Sequence, residues 1–191
     1  MFNAPRLTQR LSGIALGLFL CHAQAATTVS GADTVRPLLE TLNERLNIGD
    51  LVALTKWDSG KPVQDSPREA QVIANARKLA EARKLNPDDV AQLLAAQMEA
   101  NKLVQYGLLA HWQAVGKAPD TARPDLAKQI RPHLDELQDR LLLQYADFAP
   151  FRHDPNCRSW LAQARAGLAR DRLHDLALIR ATGELCSAAP Q

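Results

Sequence analysis

The stretch VRPLLETLNERLNIGDLVALTKW, Val35 to Trp57, sets apolar side chains at Leu38, Leu39, Leu42 and Leu46 and again at Leu51, Val52 and Leu54. Steps of three and four are the period of an α-helix with one buried stripe. The first element is therefore expected as a helix over about 33–57, with Gly49 weakening it by about 1 kcal/mol relative to Ala and marking a place for a bend. Asp58-Ser59-Gly60-Lys61-Pro62 stops it. Ser66-Pro67-Arg68-Glu69 then reads as an N-cap, a Pro at the first helical position and a Glu at N3, opening a second helix that runs to about Leu85. Asn86-Pro87-Asp88-Asp89 repeats the device and opens a third helix over about 88–115. After the connection Gly116 to Pro124, a fourth helix runs to about Ala146, with Pro132 in its first turn or at a kink. Asp154-Pro155 caps a fifth, and Arg170 to Leu185 makes a sixth that returns Cys186 to Cys157. Six helices and no convincing strand predict an all-α six-helix bundle.

The chain has 191 residues, 46% hydrophobic and 23% charged, enough for one packed domain and too ordinary for a disordered chain. Its first 25 residues have the form of an export leader. Arg6 and Arg10 precede the apolar run LSGIALGLFLC, which leads to the small-x-small site Ala23-Gln24-Ala25. A lipoprotein anchored through Cys21 is the competing reading, opposed by Phe19 and Leu20 where small residues would be expected. Cleavage after Ala25 leaves one domain over 26–191. Of 23 Lys and Arg, two go with the leader, so the mature part is balanced against its 21 Asp and Glu. That neutrality argues against nucleic acid and against a polybasic membrane surface as partners. No other run approaches ~18 uninterrupted apolar residues, so no membrane association is expected once the leader is gone.

Export leaves Cys157 and Cys186, an even count that points to a disulfide, worth roughly 3 to 4 kcal/mol for a loop of that length. A metal pair or a catalytic thiol are the alternatives. Neither has supporting spacing, since no CxxC occurs and His153 and His174 form no ligand pattern with the cysteines.

Polar residues on a buried stripe require a reason. Gln97, Asn101 and Gln105 recur at four on the third helix, in one row with Leu94 and Leu108. All are neutral amides that donate and accept without burying charge. Alone, such a row reads as a polar stripe flanking the core. Arg45 and Lys56 on the first helix are three turns apart and project within roughly 20° of each other. Each borders the apolar stripe, and each alone reads equally as a snorkelling cation. Arg68 and Glu69 also read as a solvated cation and half of a capping box, and Arg131 as an exposed residue opening the run Leu134, Leu137, Leu141.

Together these residues are more specific. Glu44-Arg45-Leu46, Asp50 to Ala53, Lys56-Trp57, Pro62, Asp65, Arg68 and Glu69, joined to Gln97 through Tyr106, resemble the all-helical chorismate mutases. The leader, the length and the cysteine pair resemble their secreted subclass, and the similarity runs from about 35 to 186. The resemblance implies a cofactor-free Claisen rearrangement of chorismate to prephenate in a pocket inside a helical bundle. It implies that Arg45 and Arg131 hold one substrate carboxylate and that Arg68 helps hold the other end. Lys56 and Gln105 would reach the ether oxygen, Glu69 would take the substrate hydroxyl, and Asn101, where the family often has Ser or Thr, would assist with Asp65 at the pocket wall. No metal is implied, and a homodimer stays open. The rival is a non-catalytic exported helical binding or interaction protein whose cations and amides decorate its surface.

Overall fold

In the computed structural model, residues 29–187 are described, together with Met1; the leader expected over 1–25 otherwise lies outside the described residues. Six α-helices and no strand occur among them: α1 (Gly31–Ser59), α2 (Ser66–Ala82), α3 (Pro87–Val115), α4 (Arg131–Phe148), α5 (Cys157–Arg165) and α6 (Arg172–Thr182). The expected all-α bundle is what forms.

The long α1 and α3, each 29 residues, are the spine of the fold, roughly 43 Å long at the normal helical rise. Arg45 meets Gln97, Gly49 meets Asn101 and Trp57 meets Trp112, so the two helices run parallel. The shorter α2 returns the chain between them along α3, while α4, α5 and α6 pack on α1 and α6 also on α3. The apolar period expected for α1 is the buried stripe: Val35, Leu38, Leu39, Leu42 and Leu46 join Leu93, Leu94 and Val104 of α3 and Tyr145 and Phe148 of α4 in one core. α1 passes Gly49 without interruption, and the glycine lets Asn101 of α3 approach closely.

Four boundaries depart from expectation. α5 starts at Cys157 after Asn156 with no side-chain cap, and Asp154, whose carboxylate accepts the Asn156 N–H at 2.7 Å, shapes the turn before it instead of capping it. The cap of α2 is Asp65 rather than Ser66: its carboxylate accepts the Arg68 N–H at 3.2 Å, and Glu69 Oε1 accepts the Asp65 N–H at 3.2 Å. α2 ends at Ala82 instead of about Leu85, because Lys84 adopts φ +57° and the Leu85 N–H turns back to the Ala80 carbonyl. That is a left-handed helix stop carried by a lysine, so no glycine announces it. α6 is shorter than the expected 170–185, since Asp171 accepts the His174 N–H and starts the helix at Arg172.

Pro132 lies in the first turn of α4, which follows directly on a π-helical turn at Leu126–Ile130. Ile130 fixes that turn by packing with Ile48 and Leu137. At the other end of the molecule Cys157 and Cys186 form a disulfide with Cα atoms 5.9 Å apart. The buried Arg152 braces the same region through an ion pair to Asp89 and a bond to the Glu184 carbonyl. Cys157→Ser is expected to lower the free energy of unfolding by roughly 3 kcal/mol in chemical denaturation, without altering the pocket described next.

Candidate active site

The eight residues expected at the site from the sequence line one cavity of about 190 Å³, as does Gln97 of the amide row. Arg45 and Lys56 come from α1, Asp65, Arg68 and Glu69 from the start of α2, Asn101 and Gln105 from α3, and Arg131 from the start of α4. Helical spacing explains each contribution. The step of eleven keeps Arg45 and Lys56 on one side of α1, and the step of four keeps the amides in a row on α3.

Arg45 is the centre of the arrangement. Its side chain is buried, with Nε donating to Gln97 Oε1 at 3.3 Å and Nη1 to the Leu134 carbonyl at 2.7 Å. No carboxylate among the described residues lies within ion-pairing distance of it. Burial therefore lowers its pKa to about 10, opposed by the more distant charge of Asp135. The guanidinium stays protonated at neutral pH as a desolvated cation whose counter-ion is missing from the protein.

The amide row is wired to the same residue. Asn101 Nδ2 donates to the Arg45 carbonyl at 3.2 Å, and Gln105 Nε2 donates to Asn101 Oδ1 at 2.7 Å. The approach needs Gly49, where an added Cβ would stand 3.1 Å from Asn101 Nδ2. Gln97 Nε2 and Gln105 Oε1 are buried without a protein partner. Such groups are rare in a closed core and suit a cavity built to receive polar ligand atoms.

The remaining charges frame the cavity. Arg68 donates to Gln71 Oε1 at 3.1 Å and lies 4.0 Å from Asp135 of α4. Lys56 and Arg131 make no ion pair among the described residues. Lys102, unmarked in the sequence, also lines the cavity and pairs with Glu69 Oε2 at 3.1 Å and with Glu99 at 2.6 Å. Its neighbour three residues back makes it look like half of a surface i,i+3 pair. Gln97 was visible in the amide row, but its work of orienting Arg45 was not. The cavity wall thus holds five cations (Arg45, Lys56, Arg68, Lys102 and Arg131) against three carboxylates (Asp65, Glu69 and Asp135). An excess of two positive charges is the complement of a dianion. Among the described residues no group of His, Cys, Asp and Glu could hold a metal ion.

Comparison with known proteins agrees with this chemistry. A family profile described as Chorismate mutase type II matches residues 36–106. The secreted chorismate mutase of Mycobacterium tuberculosis is 28% identical across the whole of this chain and 99% of its own length. A monofunctional chorismate mutase of Enterobacter agglomerans is 33% identical over 65% of this chain and 67% of its own. The crystal structure of chorismate mutase from Burkholderia phymatum superposes with a TM-score of 0.80 at 42% identity, covering 83% of this chain and 99% of that one.

The unpaired burial of Arg45 has a measurable consequence. Arg45→Met keeps the stem and removes the desolvated charge, so it is expected to leave the free energy of unfolding within ~1 kcal/mol of the parent or to raise it. Thermal and urea denaturation read this directly. A loss of several kcal/mol would mean that Arg45 is chiefly a structural residue.

Proposed function

This chain belongs to the type II chorismate mutases, and we propose that it isomerises chorismate to prephenate with the residues that line the cavity between α1, α2, α3 and α4. The observation that carries the reading is the convergence of the eight residues, drawn from four helices, around a buried cation with no protein counter-ion. Chorismate carries two carboxylates, and guanidinium forks match carboxylates bidentately. In this reading Arg45 and Arg131 hold one carboxylate, and Arg68 the other end of the molecule. Asp65 and Asn101 form the wall beside it, and Glu69 accepts a hydrogen bond from the substrate hydroxyl.

The reaction breaks the ether C–O bond while a C–C bond forms in the same molecule. Negative charge grows on the ether oxygen as it does so. Lys56 and the second N–H of Gln105 are the donors assigned to that oxygen. Fixed donors aimed where charge develops stabilise the transition state more than the ground state. Clamping both carboxylates also holds the flexible substrate in its compact reactive shape. The whole of residues 26–191 serves as one catalytic domain in this reading. Export is supported by the relatives named as secreted, by the disulfide, which suits an oxidising compartment, and by the leader-like start of the sequence. No helix of the described residues is long and apolar enough to cross a membrane.

The direct test is loss of the chorismate diene absorbance on adding purified protein. Lys56→Ala is expected to lower turnover on the order of 10²- to 10³-fold, the scale of one lost transition-state donor, with little change in melting temperature. Near-normal turnover would remove Lys56 from the mechanism.

Gln105 makes a prediction about pH. A glutamine stays a donor throughout, so wild-type turnover should be nearly flat from about pH 5 to 8. Asn101 is held with Nδ2 on the Arg45 carbonyl, so its Oδ1 faces Gln105. In Gln105→Glu the ionised carboxylate would oppose both that oxygen and the developing charge, and only its protonated form can donate. Gln105→Glu should therefore be slow at neutral pH and recover as pH falls, less fully where Lys56 and the arginines hold the carboxylate ionised. Paired pH–turnover profiles, with circular dichroism at each pH, decide it: two equal flat profiles would take Gln105 away from the ether oxygen.

A further inference from the structure

Lys102 lies against the cavity and has no part in the reaction described above, yet it makes the one ion pair to Glu69 among the described residues. Its ammonium donates to Glu69 Oε2 at 3.1 Å, while Glu69 Oε1 accepts the Asp65 N–H at 3.2 Å. Both oxygens of the carboxylate are thereby fixed, one by the α2 cap and one by α3. The Lys102 and Glu69 side chains keep only 13% and 24% of their exposure, so water screens the pair weakly.

Glu69 needs that cation because its other neighbours are divided in sign. On its own helix stand the Asp65 carboxylate and Arg68; on α3 stands Glu99, joined to Lys102 at 2.6 Å. From α4 comes Asp135, 4.0 Å from Arg68, and across the cavity on α1 are Arg45 and Lys56. Only Lys102 is within ion-pairing distance of Glu69. Without it, the Asp65 N–H on Oε1 is the one hydrogen bond that holds the Glu69 carboxylate among the described residues. Lys102 itself is held cationic: the bond to Glu99 raises its pKa, burial opposes, and Glu69 adds to the rise.

We propose that Lys102 is the positioning residue of Glu69, holding its carboxylate oriented to accept the hydrogen bond of the substrate hydroxyl. This rests on the role given to Glu69 above. Glu99, outside the cavity, anchors the ammonium from the solvent side and directs it to the carboxylate.

Lys102→Met keeps the stem and deletes the donor, so Glu69 Oε2 loses its hold and the carboxylate should turn away from the substrate hydroxyl. Chorismate turnover per KM should fall roughly 10-fold at pH 7, the scale of one misaligned hydrogen bond to a charged group. Lys102→Arg should restore it to within about threefold, and Lys102→Met placed in Glu69→Gln should add no further loss, because no carboxylate is then left for Lys102 to position. A second readout needs no activity: the crystal structure of Lys102→Met should show the Glu69 side chain away from its parent rotamer. If that variant misfolds by circular dichroism, Lys102→Gln takes its place. The proposal is overturned if the Glu69 carboxylate keeps its parent position in that crystal structure. A rise in KM that persists in Glu69→Gln also overturns it, since that would make Lys102 a direct substrate contact. Absence of turnover in the parent would instead count against the reading of the reaction, with the crystal structure still deciding the pairing.

Discussion

A buried guanidinium without a protein counter-ion is the constraint around which the rest is arranged. Isolated charge inside a protein is destabilising by several kcal/mol even after relaxation, and Arg45 is relieved only by a side-chain amide and a backbone carbonyl. Gln97 is buried because Arg45 is, and Asn101 sits on the Arg45 carbonyl because Gly49 opens the helix surface to it. The stabilisation that offsets this lies elsewhere: in the leucine stripe of α1, in Tyr145 and Phe148, and in the bridge between Cys157 and Cys186. Separating the two regions lets the cavity keep unsatisfied donors and charge while the fold stays closed.

Much of the frame was legible because it rests on local rules. The period of α1 and the Asn86-Pro87 start of α3 are written in consecutive residues, and both helices form where those signals fall. The end of α2 was not legible, since a lysine occupies the left-handed position where glycine is the usual marker. The π-helical turn before α4 depends on Ile130 finding Ile48 and Leu137, a tertiary contact with no local signature.

The candidate site divides along the same line. Spacing alone put Arg45 and Lys56 on one side of a helix and the three amides in a row, and the structure brings both sets to one cavity. Spacing could not say which cations lose their water. Arg45 between Leu42 and Leu46 reads like any arginine whose stem covers apolar surface while its charge stays outside. What distinguishes it is the arrival of α4, whose Leu134 carbonyl closes over the guanidinium. Lys102 was hidden for the converse reason: its pairing with Glu99 satisfies a surface rule, and only the packing of α2 on α3 reveals Glu69 on its other side.

The division of labour among these charges follows from the kind of reaction they serve. An isomerisation conserves charge, so substrate, transition state and product all carry the same two carboxylates. Arginines that clamp them bind all three species alike, which draws the ligand in but does nothing by itself to lower the barrier from the bound state. Selectivity for the transition state must come from donors aimed at an atom whose charge changes. In the proposed reading those are Lys56, near the end of α1, and Gln105 on α3. Their separation is fixed by the close parallel packing of the two longest helices. The glycine contact at Gly49 is thus more than a packing detail. An added Cβ there would stand 3.1 Å from Asn101 Nδ2, so Asn101, whose Oδ1 accepts from Gln105, would have to give way. In the proposed reading, binding strength and catalytic power are therefore set by different contacts.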